Sequence, residues 1–249
     1  SMTIAGLDPS GGAGIIADCK TFHAHGIYAT CVVTAITAQN PYSVSNIGKV
    51  DLQLIEDEID QIMDVYPIEF MKTGVLYSGD IIKLVSKKIK EYQLKAVVDP
   101  VMISESGKNL TGDSYVTTFK KYLMKNAYII TPNIHEAENI SNKKIETEED
   151  MINVAEKLSN PNNTVITGGH MQGNDILYTN GEVHKIKGEL IKSNNTHGTG
   201  CTYSSAITSQ LINNHDLLES CKLSNQFIRN SIINGFNNTP YQFWNSIKF

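Results

Sequence analysis

Short apolar runs alternate with amphipathic segments along most of the chain. The runs are rich in β-branched residues, which is typical of buried strands, whereas the amphipathic segments repeat apolar positions at helical spacing. This alternation predicts strand–helix–strand crossover units and a mainly parallel sheet in an α/β fold. The predicted strands are 3–6, 29–37, 68–72, 95–98, 127–131 and 164–167, and the predicted helices are 15–25, 52–63, 80–92, 113–124, 134–140, 148–158, 202–213 and 217–235.

One hairpin interrupts this pattern near the C-terminal third of the chain. Asn180 and Gly181 separate two short strand-like segments, 175–179 and 182–186, and an Asn-Gly pair suits a type I′ turn. No linker, repeat or low-complexity tract divides the sequence. We therefore predict one domain over residues 2–249.

The segment 195–202 is the strongest candidate for chemistry. Gly198, Thr199 and Gly200 form a turn that runs into a small-residue helix, and backbone N–H groups at such a helix start bind anions. The same spacing also occurs in plain turns. If the turn holds an anion, its partial positive charge should favour the thiolate of Cys201 and lower the pKa of that thiol from about 8.5.

Further candidate residues follow the ends of predicted strands. In open parallel sheets, ligands bind at the carboxyl ends of the strands, where the loops to the next elements gather. The residues that follow a predicted strand are Gly6, Gln39, Gly74, Asp99, Asn133 and Gly168.

Two carboxylates among these segments suit a magnesium site. Asp99 lies between a strand end and a proline, where it could hold Mg²⁺ or simply cap a loop. Glu136 lies three residues after Asn133, so the pair could bind hydrated magnesium and a nucleotide phosphate. The same spacing is that of a helix capping box.

Three polar residues have both a binding and a structural interpretation. The amide of Gln39 suits a heteroaromatic ring that carries a ring nitrogen and an amino group, or it makes a turn hydrogen bond. For Asp18, within the first helix, a structural hydrogen bond is favoured over catalysis. For His197, a hydrogen-bonded loop histidine is favoured over a phosphate contact.

Composition narrows the functional classes. Twenty-one basic and 26 acidic residues give a net charge of −5, and no basic run could follow a nucleic-acid backbone. No apolar segment is long enough to span a membrane, and no signal sequence is evident, so we expect a cytoplasmic protein without membrane or nucleic-acid partners. The four cysteines are widely spaced, which indicates reduced thiols. There is no P-loop motif, so any nucleotide is held in another way.

Seven segments in the same order give the chain a close resemblance to the ribokinase superfamily, and within it to the hydroxymethylpyrimidine/phosphomethylpyrimidine kinases of thiamine biosynthesis. The segments are 3–14, 37–40, 72–74, 98–102, 131–138, 168–170 and 195–202. The resemblance implies a three-layer α/β/α domain that transfers the γ-phosphoryl group of Mg·ATP to a pyrimidine hydroxymethyl group and then to the monophosphate. We also expect a homodimer.

The resemblance also implies roles for individual residues. Gln39 would read the pyrimidine, and Cys201 takes the position of a catalytic aspartate in sugar kinases, either as the base or as a residue that only fills space. The predicted substrate-binding residues are Gly6, Asp18, Gln39, Gly74 and Val75; the nucleotide-binding residues are Asn133, Glu136, Thr167, Gly169 and Thr199; the metal ligands are Asp99 and Glu136; and the catalytic residues are Gly198, Gly200 and Cys201.

The chain departs from this family at two places. Thr167 stands where most members carry a lysine, so Lys185 or a metal ion would have to balance the phosphate charge. The segment 239–244 replaces a histidine-containing tail, and we expect it to pack hydrophobically, with a dimer contact as one option.

Two alternative functions stay open. Pyridoxal kinase is the first, with dual activity included, although Gln39 and Ser104 favour the pyrimidine enzyme. A non-catalytic ligand-binding protein is the second.

Overall fold

All nine strands of the computed structural model, which describes residues 1–102, 115–159, 162–169 and 171–242, belong to one sheet. The strands are β1 (Met2–Leu7), β2 (Thr30–Asn40), β3 (Ser43–Lys49), β4 (Phe70–Thr73), β5 (Lys95–Val98), β6 (Ala127–Ile130), β7 (Asn163–Ile166), β8 (Asp175–Thr179) and β9 (Glu182–Ile186). Their order is β3-β2-β1-β4-β5-β6-β7-β8-β9. The strands from β2 to β7 in this order are parallel, whereas β3, β8 and β9 join antiparallel.

The described helices connect these strands. They are α1 (Gly14–Ala24), α2 (Leu52–Val65), α3 (Gly79–Glu91), α4 (Tyr115–Thr118), α5 (Ile134–Ser141), α6 (Glu148–Leu158), α7 (Thr199–Ile212) and α8 (Leu217–Ile233). A π-turn at Phe119–Leu123 and a 3-10 turn at Met124–Asn126 follow α4. The helix predicted at 113–124 is therefore irregular, and its first two residues lie outside the described part of the chain.

Side chains that alternate along the strands bury both faces of the sheet. In β5, Ala96 and Val98 pack into one apolar cluster with residues of α2, α3, α5 and α6, whereas Val97 packs into another with α7 and α8. Helix α1 packs beside α7. A parallel sheet buried on both faces accounts for the continuous apolar runs of the sequence. The expected three-layer α/β/α arrangement is confirmed.

The edge of the sheet beside β2 differs from the prediction. The pattern did not predict β3, because most of its side chains are polar or exposed and Gly48 interrupts it. The strand predicted as buried at 29–37 extends to Asn40, and its side chains from Ile36 onward are exposed or half-buried, because β3 pairs with its edge and does not cover its faces.

The hairpin prediction is confirmed residue for residue. Asn180 and Gly181 both have positive φ angles, 52° and 82°, as a type I′ turn requires. The direction in which strands are added to the sheet reverses at β1, since the chain next forms β2 on one side of β1 and later β4 on the other. Such a switch point leaves a crevice at the carboxyl ends of the two neighbouring strands, which is where ligands bind in this class of sheet.

Candidate active site

A cavity of about 810 Å³ lies at the carboxyl ends of the strands. Every predicted site residue except Asp18 and Gly74 lines it. The lining residues among the predicted ones are Gly6, Gln39, Val75, Asp99, Asn133, Glu136, Thr167, Gly169, Gly198, Thr199, Gly200 and Cys201.

The glycine turn at 198–201 has the geometry of an anion site. Gly198 is the N-cap of α7, with φ at 89°, and the helix starts at Thr199, three residues before the predicted start. A Cβ on Gly198 would lie 1.9 Å from the carbonyl oxygen of Gly12, so the turn packs directly on the first glycine-rich loop. The Thr199 N–H donates to the Thr196 carbonyl at 3.0 Å, whereas the N–H groups of Gly200 and Cys201 have no partner within the helix. Together with the helix dipole, these two groups favour a bound anion.

Asp99 follows β5 and turns toward α7. Ser204 Oγ donates a hydrogen bond of 3.2 Å to its Oδ2. Burial raises the pKa of Asp99 to about 6, although the Lys72 ammonium opposes the rise. The ammonium charge and the hydrogen bond from Ser204 therefore compensate only part of the cost of burying the charged carboxylate.

Glu136 is buried at the start of α5. Its Oε2 accepts from the backbone N–H of Asn133 at 3.0 Å, and Asn133 Oδ1 accepts from the N–H of Glu136 at 2.9 Å. The capping box that the spacing allowed is thus present, and the same carboxylate lines the cavity. Burial, and then the charge of Asp99, raise the pKa of Glu136 to about 8.

These two carboxyl groups fit a magnesium ion. Each is buried at the cavity, and a divalent cation would compensate the charge that burial opposes. Within the described ranges, no cluster of three or more acidic, histidine or cysteine side chains could hold a metal. Two carboxylates suffice for Mg²⁺, because this ion keeps several waters and binds substrate phosphates.

The expectation for Cys201 is wrong. The helix start was expected to lower the pKa of this thiol, but burial raises it to about 12. The Lys72 ammonium and the Gly14 backbone lower it by less, while Asp18 and Asp99 raise it further. The thiol is therefore protonated at neutral pH, because desolvation of a thiolate outweighs the nearby partial charges.

Gln39 is connected to the anion turn through His197. Thr37 Oγ1 donates to Gln39 Oε1 at 3.2 Å, and Gln39 Nε2 lies 3.5 Å from His197 Nε2. His197 Nε2 also lies 2.7 Å from Asp8 Oδ2, which confirms a hydrogen-bonded loop histidine. The sequence interpretation missed Asp8, although an aspartate two residues before a serine is typical of an Asx turn.

Asp18 and Gly74 lie outside the lining. Asp18 is fully buried and forms an ion pair with Lys72 of β4, at 2.8 Å. Gly74 packs against both Ala5 and Lys72, because a Cβ there would be 3.0 Å from the Ala5 Cβ and from the Lys72 Nζ. The sequence interpretation missed Lys72, whose signal was a lysine within a short buried strand.

Thr167 and Lys185 lie in different surroundings. Thr167 stands where most family members carry a lysine, and Lys185 was considered as the replacement for that charge. Thr167 extends β7 next to Asn133, with its N–H bonded to the Pro132 carbonyl at 3.0 Å. Lys185 does not line the cavity and pairs with Glu148 at 2.5 Å, so it is not placed to balance phosphate charge.

The C-terminal segment makes polar contacts rather than only the expected hydrophobic ones. Gln242 Nε2 donates to Thr202 Oγ1 at 3.0 Å and to the Gly12 carbonyl at 3.4 Å. Ser104, His170 and the pair Phe243-Trp244, which the sequence interpretation also singled out, lie outside the described residues.

The sequence of the chain matches a known protein family. The model of the phosphomethylpyrimidine kinase family matches residues 8–243. The chain belongs to the phosphomethylpyrimidine kinase family. The hydroxymethylpyrimidine/phosphomethylpyrimidine kinase of Bacillus subtilis is 34% identical over 241 residues, which cover 94% of this chain and 89% of that protein. A thiamine biosynthesis bifunctional protein of Geobacter sulfurreducens is 38% identical over 93% of this chain, which spans about half (48%) of that longer protein.

Solved structures of this kinase family and of a related kinase share the fold. A phosphomethylpyrimidine kinase from Clostridium difficile is 39% identical, with a TM-score of 0.81, over 92% of this chain and 96% of that one. The ADP complex of Bacillus subtilis pyridoxal kinase is 35% identical, with a TM-score of 0.86, over 94% and 92% of the two chains. These structures have the expected ribokinase-like fold. The members of the family are kinases that act on a small pyrimidine with ATP as the phosphate donor. None of the described helices has the length and apolar character needed to cross a bilayer.

Proposed function

We propose that this chain transfers the γ-phosphoryl group of ATP to the hydroxyl of 4-amino-5-hydroxymethyl-2-methylpyrimidine, and then phosphorylates the resulting monophosphate, in thiamine biosynthesis. The observation that carries the proposal is one cavity lined by the anion turn, both buried carboxyl groups and Gln39. The names of the relatives support the substrate class.

The two ends of the cavity suit the two reactants. Gln39 ends β2 beside the β1 switch point, and its amide can both donate to and accept from an aminopyrimidine. The turn at Gly198–Cys201 offers backbone N–H groups to the transferring phosphate. Asn133, Thr167, Gly169 and Thr199 line the same cavity and would contact the nucleotide.

Phosphoryl transfer mainly requires that the two reactants are positioned and that the negative charge of the phosphates is compensated. The hydroxymethyl oxygen forms a bond to the γ-phosphorus as the bond to the bridging oxygen of ADP breaks, and the hydroxyl proton passes to an oxygen of the transferred phosphoryl group and from there to water. A loose transition state of this kind needs little help from a base. Since the pKa of the Cys201 thiol is raised to about 12, Cys201 would contact the reacting group as a protonated thiol.

Magnesium would be held by Asp99 and Glu136, where it supplies positive charge to the phosphates. Both side chains are buried and line the cavity, Asp99 directly after β5 and Glu136 in the first turn of α5, which follows the neighbouring strand β6. Because Mg²⁺ would bind the deprotonated carboxylates, its binding would release the protons of Asp99 and Glu136.

The test is ADP formation with the hydroxymethylpyrimidine, its monophosphate and pyridoxal, each offered separately with ATP and Mg²⁺. We expect turnover on both pyrimidines, and an Asp99→Asn variant serves as the inactive control for contaminating kinases. Turnover on pyridoxal alone would instead establish the second candidate, which the similarity to a pyridoxal kinase favours. Ligand binding without turnover on any of the three would establish a non-catalytic protein.

Gln39→Met separates the two kinase activities further. We expect the KM for the pyrimidine to rise about tenfold, because the variant loses both hydrogen-bonding atoms and leaves those of the ligand unpaired. Pyridoxal turnover, if present, should change less. An unchanged pyrimidine KM would contradict the role of Gln39.

The proposal also covers the domain boundaries, the oligomeric state and the cellular location of the protein. We propose that residues 2–249 form one domain, because one sheet joins the described strands, and that the protein is a cytoplasmic homodimer. Ile36 and Tyr42 of the β2–β3 hairpin are 54% and 74% exposed, which supports this edge of the sheet as the dimer contact. Light scattering on wild type and Ile36→Glu tests it, and a monomeric wild type would contradict it.

A further inference from the structure

A buried ion pair lies directly beneath the substrate end of the cavity. Lys72 and Asp18 are both inaccessible to solvent, and Lys72 Nζ donates to the two carboxylate oxygens of Asp18 at 2.8 and 2.9 Å. Lys72 lies in β4, two residues before Gly74, whose backbone packs against the Lys72 ammonium. The pair is therefore next to the strand ends without lining the cavity.

Asp18 connects this ion pair to the helix that carries the anion turn. Its Oδ2 accepts from Thr3 Oγ1 of β1 at 2.6 Å, and its Oδ1 accepts from Ser205 Oγ of α7 at 2.8 Å. One carboxylate of α1 thus contacts β1, β4 and α7 at once. Ser205 is four residues after Cys201, so it lies one turn below Cys201 on the same face of α7.

Stability alone does not explain this arrangement. Removing two charges from water is costly, and apolar side chains of similar volume are often equally or more stabilising than a buried ion pair. Such a network instead fixes the relative positions of its elements, because each hydrogen bond is strong only within a narrow range of distances and angles. The two strands joined here, β1 and β4, are those that flank the switch point.

The Lys72–Asp18 ion pair is also connected to the site electrostatically, through the positive charge of Lys72. Among the described residues, Lys72 and Lys88 are the two buried lysines, and Lys88 lies on α3, where it pairs with Glu56, Asp60 and Glu91. Lys72 is close enough to Cys201 and Asp99 for its charge to act on both. Arg229, the single arginine of the sequence, lines the cavity but is paired with Glu189.

We propose that Lys72 is a positioning residue for phosphoryl transfer: through Asp18 and Ser205 it fixes the Gly198–Cys201 turn against the ends of β1 and β4. This inference rests on the proposed kinase function. Lys72 does not touch the substrate. Its effect reaches the reacting phosphate through the placement of the backbone N–H groups of the turn.

The test removes the pair without leaving a buried charge. In the double variant Asp18→Asn/Lys72→Met, we expect a melting temperature within a few degrees of wild type, whereas Lys72→Met alone should melt much lower because Asp18 then lacks a partner. For the double variant we expect kcat to fall about 100-fold, with a smaller change in the KM for ATP, because a displaced turn fails mainly in the transition state. Unchanged kcat in this folded variant would overturn the proposal.

A control and a second variant keep the test decisive. Lys88→Met also removes a buried ammonium, but it is remote from the cavity, so it should lower the melting temperature and leave kcat unchanged. If the double variant does not fold, Ser205→Ala interrupts only the contact with α7, and we expect kcat to fall about tenfold without a change in KM. Wild-type kcat in Ser205→Ala would overturn the proposal in that case.

Hydrogen exchange separates this inference from the proposed function. The backbone amides of residues 202–206, which are hydrogen-bonded within the start of α7, should exchange faster in the variant with the broken network than in wild type. If wild type lacks kinase activity, the kinase function fails, while faster exchange would still support the positioning of the turn by Lys72. Unchanged exchange together with unchanged kcat would reject the positioning role.

Discussion

His197 Nε2 lies 2.7 Å from Asp8 Oδ2, although 189 residues separate the two along the chain. Both side chains are buried, and this contact joins the loop after β1 to the turn before α7. Asp8 also accepts hydrogen bonds from the N–H groups of Ser10 and Ala13, at 2.9 and 3.0 Å. One carboxylate therefore organises both glycine-rich segments of the site.

Asp8→Asn should destabilise the protein at neutral pH by about 1–3 kcal/mol, because an amide cannot replace every hydrogen bond that the buried carboxylate accepts. The exposed Asp57→Asn is the matched control and should change the free energy of unfolding by less than about 0.5 kcal/mol. Urea denaturation measures both. Equal effects of the two substitutions would contradict this role of Asp8.

Asp8→Asn should also change how the free energy of unfolding depends on pH under acidic conditions. Burial raises the pKa of Asp8, but hydrogen bonds from His197 and Ser10 outweigh it and leave the pKa below its usual value. A depressed pKa gives stability that is present above the ordinary value near 4 and is lost as the pH falls through the folded value. Asp8→Asn should therefore lose less stability than wild type between pH 5 and pH 3.

Metal-free protein should become less stable as the pH rises from about 5 to about 8. Folded Glu136 keeps its proton up to a pKa of about 8, whereas the unfolded chain releases it near 4.5, so deprotonation favours unfolding across that window. Melting temperatures measured in EDTA should fall over this range in wild type and much less in Glu136→Gln.

Magnesium should reverse this trend. Because Mg²⁺ binds the deprotonated carboxylates, its stabilising effect should be larger at pH 8 than at pH 6. Potassium chloride at the same ionic strength is the control and should not reproduce the effect. A magnesium effect that is independent of pH would contradict the assignment of Asp99 and Glu136.

Cysteine reactivity tests the electrostatics of the site directly. A hydrogen bond from Cys19 lowers the pKa of the exposed Cys31 to about 7, whereas burial raises that of Cys201 to about 12. At pH 7.5, iodoacetamide should modify Cys31 first and leave Cys201 unmodified in the folded protein, since the thiolate is the reactive form. Peptide mass spectrometry measures both rates, and comparable labelling of the two would contradict the raised pKa of Cys201.

Two glycine substitutions separate folding from phosphate binding. Gly198→Ala places a Cβ 1.9 Å from the Gly12 carbonyl oxygen at a positive φ, so we expect a loss of more than about 2 kcal/mol in stability and of nearly all activity. Gly200→Ala meets only Asp99 Oδ2, at 3.7 Å, so the variant should fold normally.

Any loss in Gly200→Ala then reports on the ligand. A methyl group at the anion turn should raise the KM for ATP about tenfold if phosphate approaches this backbone closely. Gly79→Ala is the control, because Gly79 also lies at a helix start, does not line the cavity, and a Cβ there meets only Thr118, at 3.4 Å or more. An unchanged KM in Gly200→Ala would place the phosphate elsewhere in the cavity.

Local signals accounted for much of the fold. The helix predicted at 148–158 has those bounds, because Thr147 and Asp150 form a capping box around its start. The Asn-Gly turn fixed the β8–β9 hairpin in the same way. The edge strand β3 had no comparable signal, since a mostly polar, exposed strand is stabilised by pairing with β2 rather than by an apolar face of its own.

The site was predicted less completely, because its chemistry depends on contacts distant in sequence. Of the six residues that follow predicted strands, four line the cavity, namely Gly6, Gln39, Asp99 and Asn133, whereas Gly74 and Gly168 do not. The pKa of Cys201 depends on burial by the whole fold, which no local pattern reports. Lys72 was missed because its partner is 54 residues away, and Ser205 is 187 residues from Asp18.

The docking of the C-terminal segment has a consequence for protein synthesis. Gln242 contacts the carbonyl of Gly12 across 230 residues, and the N–H of His197 is held by the carbonyl of Asn238 at 2.9 Å. A ribosome therefore translates the first glycine loop long before the residues that complete its surroundings exist. The hydrogen bonds that join these two loops to Asn238 and Gln242 therefore form only after those residues have emerged from the ribosome.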